Sequence, residues 1–235
     1  MKTSKLLPHL VKILAIGATC ICAGALSSFA TTLTVFGTGV GSNGLVLPGG
    51  SSDPHYTVSG PGVVGTQQAV VYSPSSQWFQ WVPNDANSAW IGFKDSSDTS
   101  PHGTYTFTTT FNLTGFNPST ASLTRRWAMD QSGSLFLNGT LEQSVPDGNW
   151  NAGNNPNLTS FTISSGFVAG TNTLTFSGPF PYGFDGLRVE PMTLTATPVS
   201  GVPDSGPTVL LFGMSLAGLC WFRQIFGRVE LNPTL

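Results

Sequence analysis

Polar and apolar residues alternate through the middle of this chain. From Thr104 to Leu113, the side chains of Tyr105, Phe107, Thr109, Phe111 and Leu113 share one side, and those of Thr104, Thr106, Thr108, Thr110 and Asn112 the other. A period of two in β-branched and aromatic residues predicts a strand with one face buried. Ala121, Leu123, Arg125 and Trp127 alternate in the same way with Ser122, Thr124, Arg126 and Ala128, which turns Trp127 inward. Leu135-Phe136-Leu137 runs into Asn138-Gly139, the pair favoured in a two-residue hairpin turn because both positions need positive φ. Further strands are expected at 32–36, 67–72, 159–163, 172–176 and 186–195. No stretch of this region repeats with a helical period. Short strands between Gly- and Pro-rich turns predict an all-β domain, a β-sandwich, over residues 31–197.

The two ends follow other patterns. Lys2, Lys5 and Lys12 precede an almost unbroken apolar run from Ile13 to Leu26, and Ser28-Phe29-Ala30 offers small residues at the positions a signal peptidase reads. Residues 1–30 are therefore expected to be a signal peptide, cut between Ala30 and Thr31; the alternative is an N-terminal membrane anchor. Residues 198–235 read as a linker, a short polar motif, an apolar helix and a basic tail. Val202-Pro203-Asp204-Ser205-Gly206 leads into Val209 to Phe222, a stretch without a charge, and Arg223 and Arg228 follow it. As a helix this stretch rises about 21 Å, short of a hydrocarbon core of roughly 30 Å unless Ile225 and Phe226 extend it. Arginine beyond the helix holds that end in the cytoplasm and puts the preceding domain outside.

The tail resembles the PEP-CTERM sorting signal of Gram-negative, exopolysaccharide-producing bacteria, in its Val-Pro-Asp-Ser-Gly variant. That resemblance implies recognition of Val202, Pro203, Asp204, Ser205 and Gly206 by an exosortase, a membrane protease, with Arg223 as the stop. It also implies an inner-membrane intermediate held by the single C-terminal helix before release to the cell surface or matrix. An ordinary C-terminal anchor is the alternative. A second resemblance lies within the domain. Phe111 to Gly139, with Trp127-Ala128-Met129-Asp130 and Leu135-Phe136-Leu137-Asn138-Gly139, is similar to a segment of galactose-binding-like jelly rolls. Gly170 to Phe176 is similar to a later strand entry in those modules, and Gly186 to Glu190 to their closing strand. Such modules are often carbohydrate-binding, and they often hold a structural calcium.

Composition narrows the chemistry. Only 9% of the 235 residues are charged and the net charge is −2, without a basic run, so nucleic acid is not an expected partner. With 40% hydrophobic and 11% aromatic residues the chain has enough apolar mass for a core, which argues against disorder. Cys20, Cys22 and Cys220 all lie in the terminal segments, leaving the domain without disulfides or a thiol nucleophile. His55 and His102 sit in no metal-binding or hydrolase spacing, and Asp95 and Asp98 occupy a polar run that reads as solvated loop. The domain is thus expected to be non-enzymatic. Asp85, Asn87, Asp95, Asp98 and Asp147 are available for a structural calcium, although none forms a regular Asp-x-Asp-x-Asp-Gly loop and the simpler reading is solvated acids.

Aromatic residues in polar loops point to a ligand instead. Trp78 and Trp81 lie three apart in Ser76 to Asp85, Trp90 follows, and Trp150 and Tyr182 occupy later loops beside Asn, Asp and Gly. Flat aromatic faces stack on sugar rings while nearby amides and carboxylates bond the hydroxyls. Two of Trp78, Trp81 and Trp90 are expected in the core and one in the site. The sequence therefore supports an exported domain that binds carbohydrate or exopolysaccharide, or else a structural matrix protein with no small ligand.

Overall fold

The computed structural model describes residues 29–95, 101–151, 153, 158–182 and 186–199. The apolar N-terminal run, the 202–206 motif, Arg223 and the apolar stretch before it lie outside these residues. Among the described residues no helix is long and apolar enough to cross a membrane.

The alternating segments form strands where the pattern places them. In chain order these are β1 (Thr31–Val35), β2 (Ser52–Ser59), β3 (Gln67–Val71), β4 (Ile91–Gly92), β5 (Gly103–Asn112), β6 (Phe116–Met129), β7 (Gly133–Leu137), β8 (Thr140–Val145), β9 (Thr159–Ile163), β10 (Thr171–Phe180), β11 (Leu187–Val189) and β12 (Met192–Pro198). Among the described residues a single 3₁₀ turn, Pro74–Ser76, interrupts the strands. All pairings are antiparallel, in the order β1-β12-β6-β11-β4-β3-β2-β5-β10-β7-β8, with β9 added on β6.

This one sheet curls until its inner face closes on itself. Trp127 of β6 packs its ring 5.2 Å from Phe176 of β10, although the two strands are far apart in the order of the sheet. The Trp127 indole also donates to Gln143 Oε1 on β8 at 2.8 Å. Tyr105, Phe107, Leu123, Trp127, Leu135, Leu174 and Phe176 are fully buried between the two limbs. On the outer face, β5 and β10 set Thr106 opposite Ser177, Thr108 opposite Thr175 and Thr110 opposite Thr173. Such β-branched cross-strand pairs suit a solvated sheet surface.

The 138–139 hairpin forms as expected, joining Leu137 to its partner Thr140, with φ of 50° at Asn138 and 83° at Gly139. No atom lies within 4 Å of a Cβ placed on Gly139, so only backbone strain opposes substitution there. Gly139→Val should lower stability by about 1–2 kcal/mol, the cost of a left-handed β-branched residue. Urea denaturation of the full chain measures it, and an unchanged midpoint would contradict the turn.

Two features depart from the expected strands. Residues 186–195 do not make one strand: Pro191 has no N–H to give the ladder, and the chain breaks there into β11 and β12. The strand that closes the sheet against β1 is β12 rather than the Gly186 to Glu190 segment. The outer face of β6 is also not wholly solvated. Ala128 is buried beneath a second cluster made by Tyr72, Trp81, Val82, Trp90 and Leu158, with Trp150 packed at its side.

Candidate aromatic cleft

The segment between β3 and β4 folds across the outer face of β6 and builds this second cluster. Its ends are stitched by Tyr72 N–H to the Trp90 carbonyl (2.9 Å), and its middle is tied to the loop after β8 by Val82 N–H to the Trp150 carbonyl (3.0 Å). Trp90, fully buried, donates its indole N–H to the Val82 carbonyl at 2.8 Å and receives Trp81 in a stack 4.4 Å away. Gly186 lies so close to this stack that a Cβ there would meet Trp81 at 2.5 Å and Trp90 at 3.0 Å.

Arg188, 2% exposed, pins the outer part of the segment. Its Nε donates to Ser88 Oγ (3.1 Å), its Nη1 to the carbonyls of Val82 (3.3 Å) and Pro83, and its Nη2 to Asp85 (2.7 Å). Asp85 in turn accepts the amide N–H groups of Asn87 and Ser88, each at 2.8 Å. Beside it, Glu190 takes both prongs of Arg126 at 3.0 and 2.7 Å.

Above this platform opens a cleft of about 330 Å³ lined by Trp78, Gln80, Asp130, Gln131, Asp147, Trp150 and Tyr182. Trp78 is 36% exposed and Tyr182 70%, so both offer ring faces to solvent. The Trp78 indole donates to Gln80 Oε1 (3.2 Å) and that of Trp150 to Asp147 Oδ1 (3.0 Å). Asp130, buried in the wall, accepts the Trp81 indole N–H at 3.1 Å and so ties the platform to the cleft.

One residue holds this wall in shape. Asn149, 5% exposed, accepts from Met129 N–H at 3.0 Å and donates to the carbonyls of Met129 (3.2 Å), Gln131 and Pro146 (both 2.8 Å). It thereby fixes the loop after β6, in which Gln131 has a φ of 64°. A left-handed backbone is uncommon outside glycine and persists where the surroundings impose it.

Of the five aromatic candidates, the structure brings Trp78, Trp150 and Tyr182 to one cleft. Trp81 and Trp90 do not reach its surface; they are the buried pair beneath it. Asp130, Gln131 and Gln80 line the cleft without having been singled out as ligand groups, and Asn149 supports it unseen. Ala30 and Thr31 are exposed at the start of β1.

The loop acids considered for calcium are spread over separate tasks. Asp85 serves Arg188, Asp147 serves Trp150, and Asp95 accepts both the amide N–H (2.7 Å) and the hydroxyl of Ser73. Burial pushes the Asp95 carboxyl up, but these hydrogen bonds outweigh it and hold the group below the usual range. Asp98 lies outside the described residues. Among the described residues no three His, Cys, Asp or Glu side chains converge as a metal site.

The chain is similar to several solved structures at low identity. CBM35 from Paenibacillus barcinonensis shares 18% identity and a TM-score of 0.35 over 61% of this chain and 94% of that one. A cyclase from Fischerella sp. gives 13% and 0.42 over 73% and 98%. A putative β-galactosidase from Bacteroides fragilis gives 8% and 0.38 over 72% of this chain, which spans only 24% of that enzyme. At TM-scores below 0.5 these likenesses carry nothing about activity. No curated protein matches the chain. The informative match lies beyond the β-domain: residues 201–226 fit the VPDSG-CTERM motif. The chain therefore carries a PEP-CTERM-like sorting domain, the mark of an exported, surface-directed protein processed by an exosortase.

Proposed function

We propose that the exported β-domain, a galactose-binding-like sandwich, binds a glycan of the cell surface or extracellular matrix in the aromatic cleft, without catalysis. The observation that carries this reading is the convergence of Trp78, Trp150 and Tyr182, from three separate loops, on one cleft edged by the amides of Gln80 and Gln131. Solvated aromatic faces with a few placed polar groups are what stacking on a sugar ring requires. Of the residues weighed for catalysis, His55, His102 and Asp95 do not line the cleft. The His55 ring lies flat on Phe36 at 3.9 Å, and Asp95 spends its oxygens on Ser73.

Binding of the full chain to a panel of exopolysaccharides and defined oligosaccharides tests the proposal. Trp78→Ala with Trp150→Ala should weaken it ten- to a hundredfold, since stacking on each ring contributes about 1 kcal/mol or more. Unchanged affinity would remove the cleft as the site, and no binding to any glycan would favour the structural matrix protein.

The sorting route completes the reading. Signal peptidase cuts between Ala30 and Thr31, leaving β1 at the new N-terminus. The C-terminal helix then pauses in the inner membrane of a Gram-negative host with Arg223 on the cytoplasmic side, and exosortase cuts near Val202 to Gly206. Mass spectrometry of protein from the native host should find an N-terminus at Thr31 and a C-terminus within 200–207. An intact Leu235 irrespective of exosortase would mean an ordinary anchor.

A further inference from the structure

Two carboxylates, Asp130 and Asp147, line the aromatic cleft, and among the described residues no lysine or arginine does. We propose that the cleft selects a protonated amino sugar, a glycan unit carrying a free ammonium group, over neutral N-acetylated sugars and uronic acids. This rests on the glycan-binding reading and adds the charge of the ligand to it.

The geometry gives an ammonium group two kinds of attraction. Indole and phenol rings attract a cation over their faces through the ring quadrupole. The Trp150 indole gives its edge N–H to Asp147, so the carboxylate is fixed beside the ring and leaves the face to the ligand. Asp130 is held in the wall by the indole N–H of Trp81. A positive charge entering the cleft meets carboxylates and aromatic faces; a uronate meets like charge, with no lysine or arginine among the described lining residues. The domain around it leans the same way, with nine acidic side chains against four basic ones in residues 31–197. Three of those four, Arg125, Arg126 and Arg188, already pair with Glu190 or Asp85.

A lysine-bearing peptide would satisfy the same charges, but two features favour the sugar. The cleft, at about 330 Å³, is at the small end of ligand pockets and suits one or two rings rather than an extended chain. Gln80 and Gln131 add amides that match ring hydroxyls and have no counterpart on a lysine side chain.

Isothermal titration of the full chain with a glucosamine tetramer, its N-acetylated counterpart, a galacturonate tetramer and a lysine-containing peptide decides the matter. The glucosamine form should bind about three- to thirtyfold tighter than the N-acetylated one, and the galacturonate should not bind. Asp147→Asn, which keeps an oxygen for the Trp150 indole, should abolish most of that preference, read as the ratio of the two glucosamine affinities measured on the same variant. Asp130→Asn serves as the second variant, with thermal melts of both checking that the fold is intact. Equal binding of the two glucosamine forms, or a preference that survives both variants, overturns the charge selection and leaves glycan binding standing. Tighter binding of the peptide than of the amino sugar overturns the choice of ligand. Binding of no oligosaccharide overturns both readings together.

Discussion

Arg188→Met is expected to destabilise the full chain by about 2–4 kcal/mol and to loosen the aromatic platform. The long apolar side chain of methionine can fill most of the space, so the loss is chiefly polar. Four acceptors lose a donor, Ser88 Oγ, the carbonyls of Val82 and Pro83, and Asp85, although the Val82 carbonyl keeps the Trp90 indole N–H and Asp85 keeps the amides of Asn87 and Ser88. Each buried acceptor left without a partner costs about 1–3 kcal/mol, and removing one member of a buried ion pair is costlier than replacing both. Asp85 is 44% exposed at its side chain and can turn to water, which keeps the total below the sum. Arg188→Lys should not rescue, because a single ammonium cannot reproduce a planar fork that reaches four groups on one loop. Urea midpoints measure the loss; tryptophan fluorescence should redden at the same time, as Trp81 and Trp90 gain water. A variant as stable as the parent would mean that the 82–88 loop is held by Trp90 alone.

This arginine marks the limit of what the pattern of residues discloses. Where one face is buried and the other wet, as in β5 and β9, alternation places the strand and its inward side. The hairpin at 138–139 is equally plain, because few residue pairs tolerate two positive φ angles in succession. Alternation fails where both faces are covered. In β6 it assigns Ala128 to solvent, and in the segment from Gly186 it offers no reason for a charged residue in mid-strand. A small Ala128 paired with Arg188 across two strands signals that something lies over the outer face, but only the pairing makes the signal legible. The same holds for the cleft. Trp78, Trp81 and Trp90 look alike in a polar loop, and which two are buried depends on how that loop folds over β6. Asp130 and Gln131 reach the cleft through Asn149, whose four hydrogen bonds join two separate stretches of backbone, 129–131 and Pro146, and have no sequence signature.

β2 is missed by the pattern, as is the two-residue β4, and for β2 the cause is a buried acid. Asp53, fully buried, breaks the alternation because it turns inward to accept three backbone N–H groups, from Gly39 at 2.6 Å, His55 at 2.8 Å and Tyr56 at 3.2 Å. It ties the loop after β1 to the start of β2, so Asp53→Ala should cost about 2–5 kcal/mol by stranding those donors. The acid dependence has a definite sign. Burial raises the Asp53 carboxyl above its ordinary range, and the hydrogen bonds from Gly39 and His55 only partly offset that. A carboxyl raised in the folded state contributes stability that is full below its unfolded pKa, near 3.8, and is lost as pH rises through the folded value. Asp95, lowered by its bonds to Ser73 despite some burial, does the reverse: its contribution is present above 3.8 and is lost as pH falls through its folded value. Relative to Asp53→Asn, the parent should therefore gain stability as the solution is acidified toward pH 4; relative to Asp95→Asn it should lose stability as the pH is taken below 4. Urea midpoints of the three proteins from pH 3 to pH 7 check both slopes. A parent that loses ground to Asp53→Asn on acidification would mean that hydrogen bonding, and not burial, dominates at Asp53.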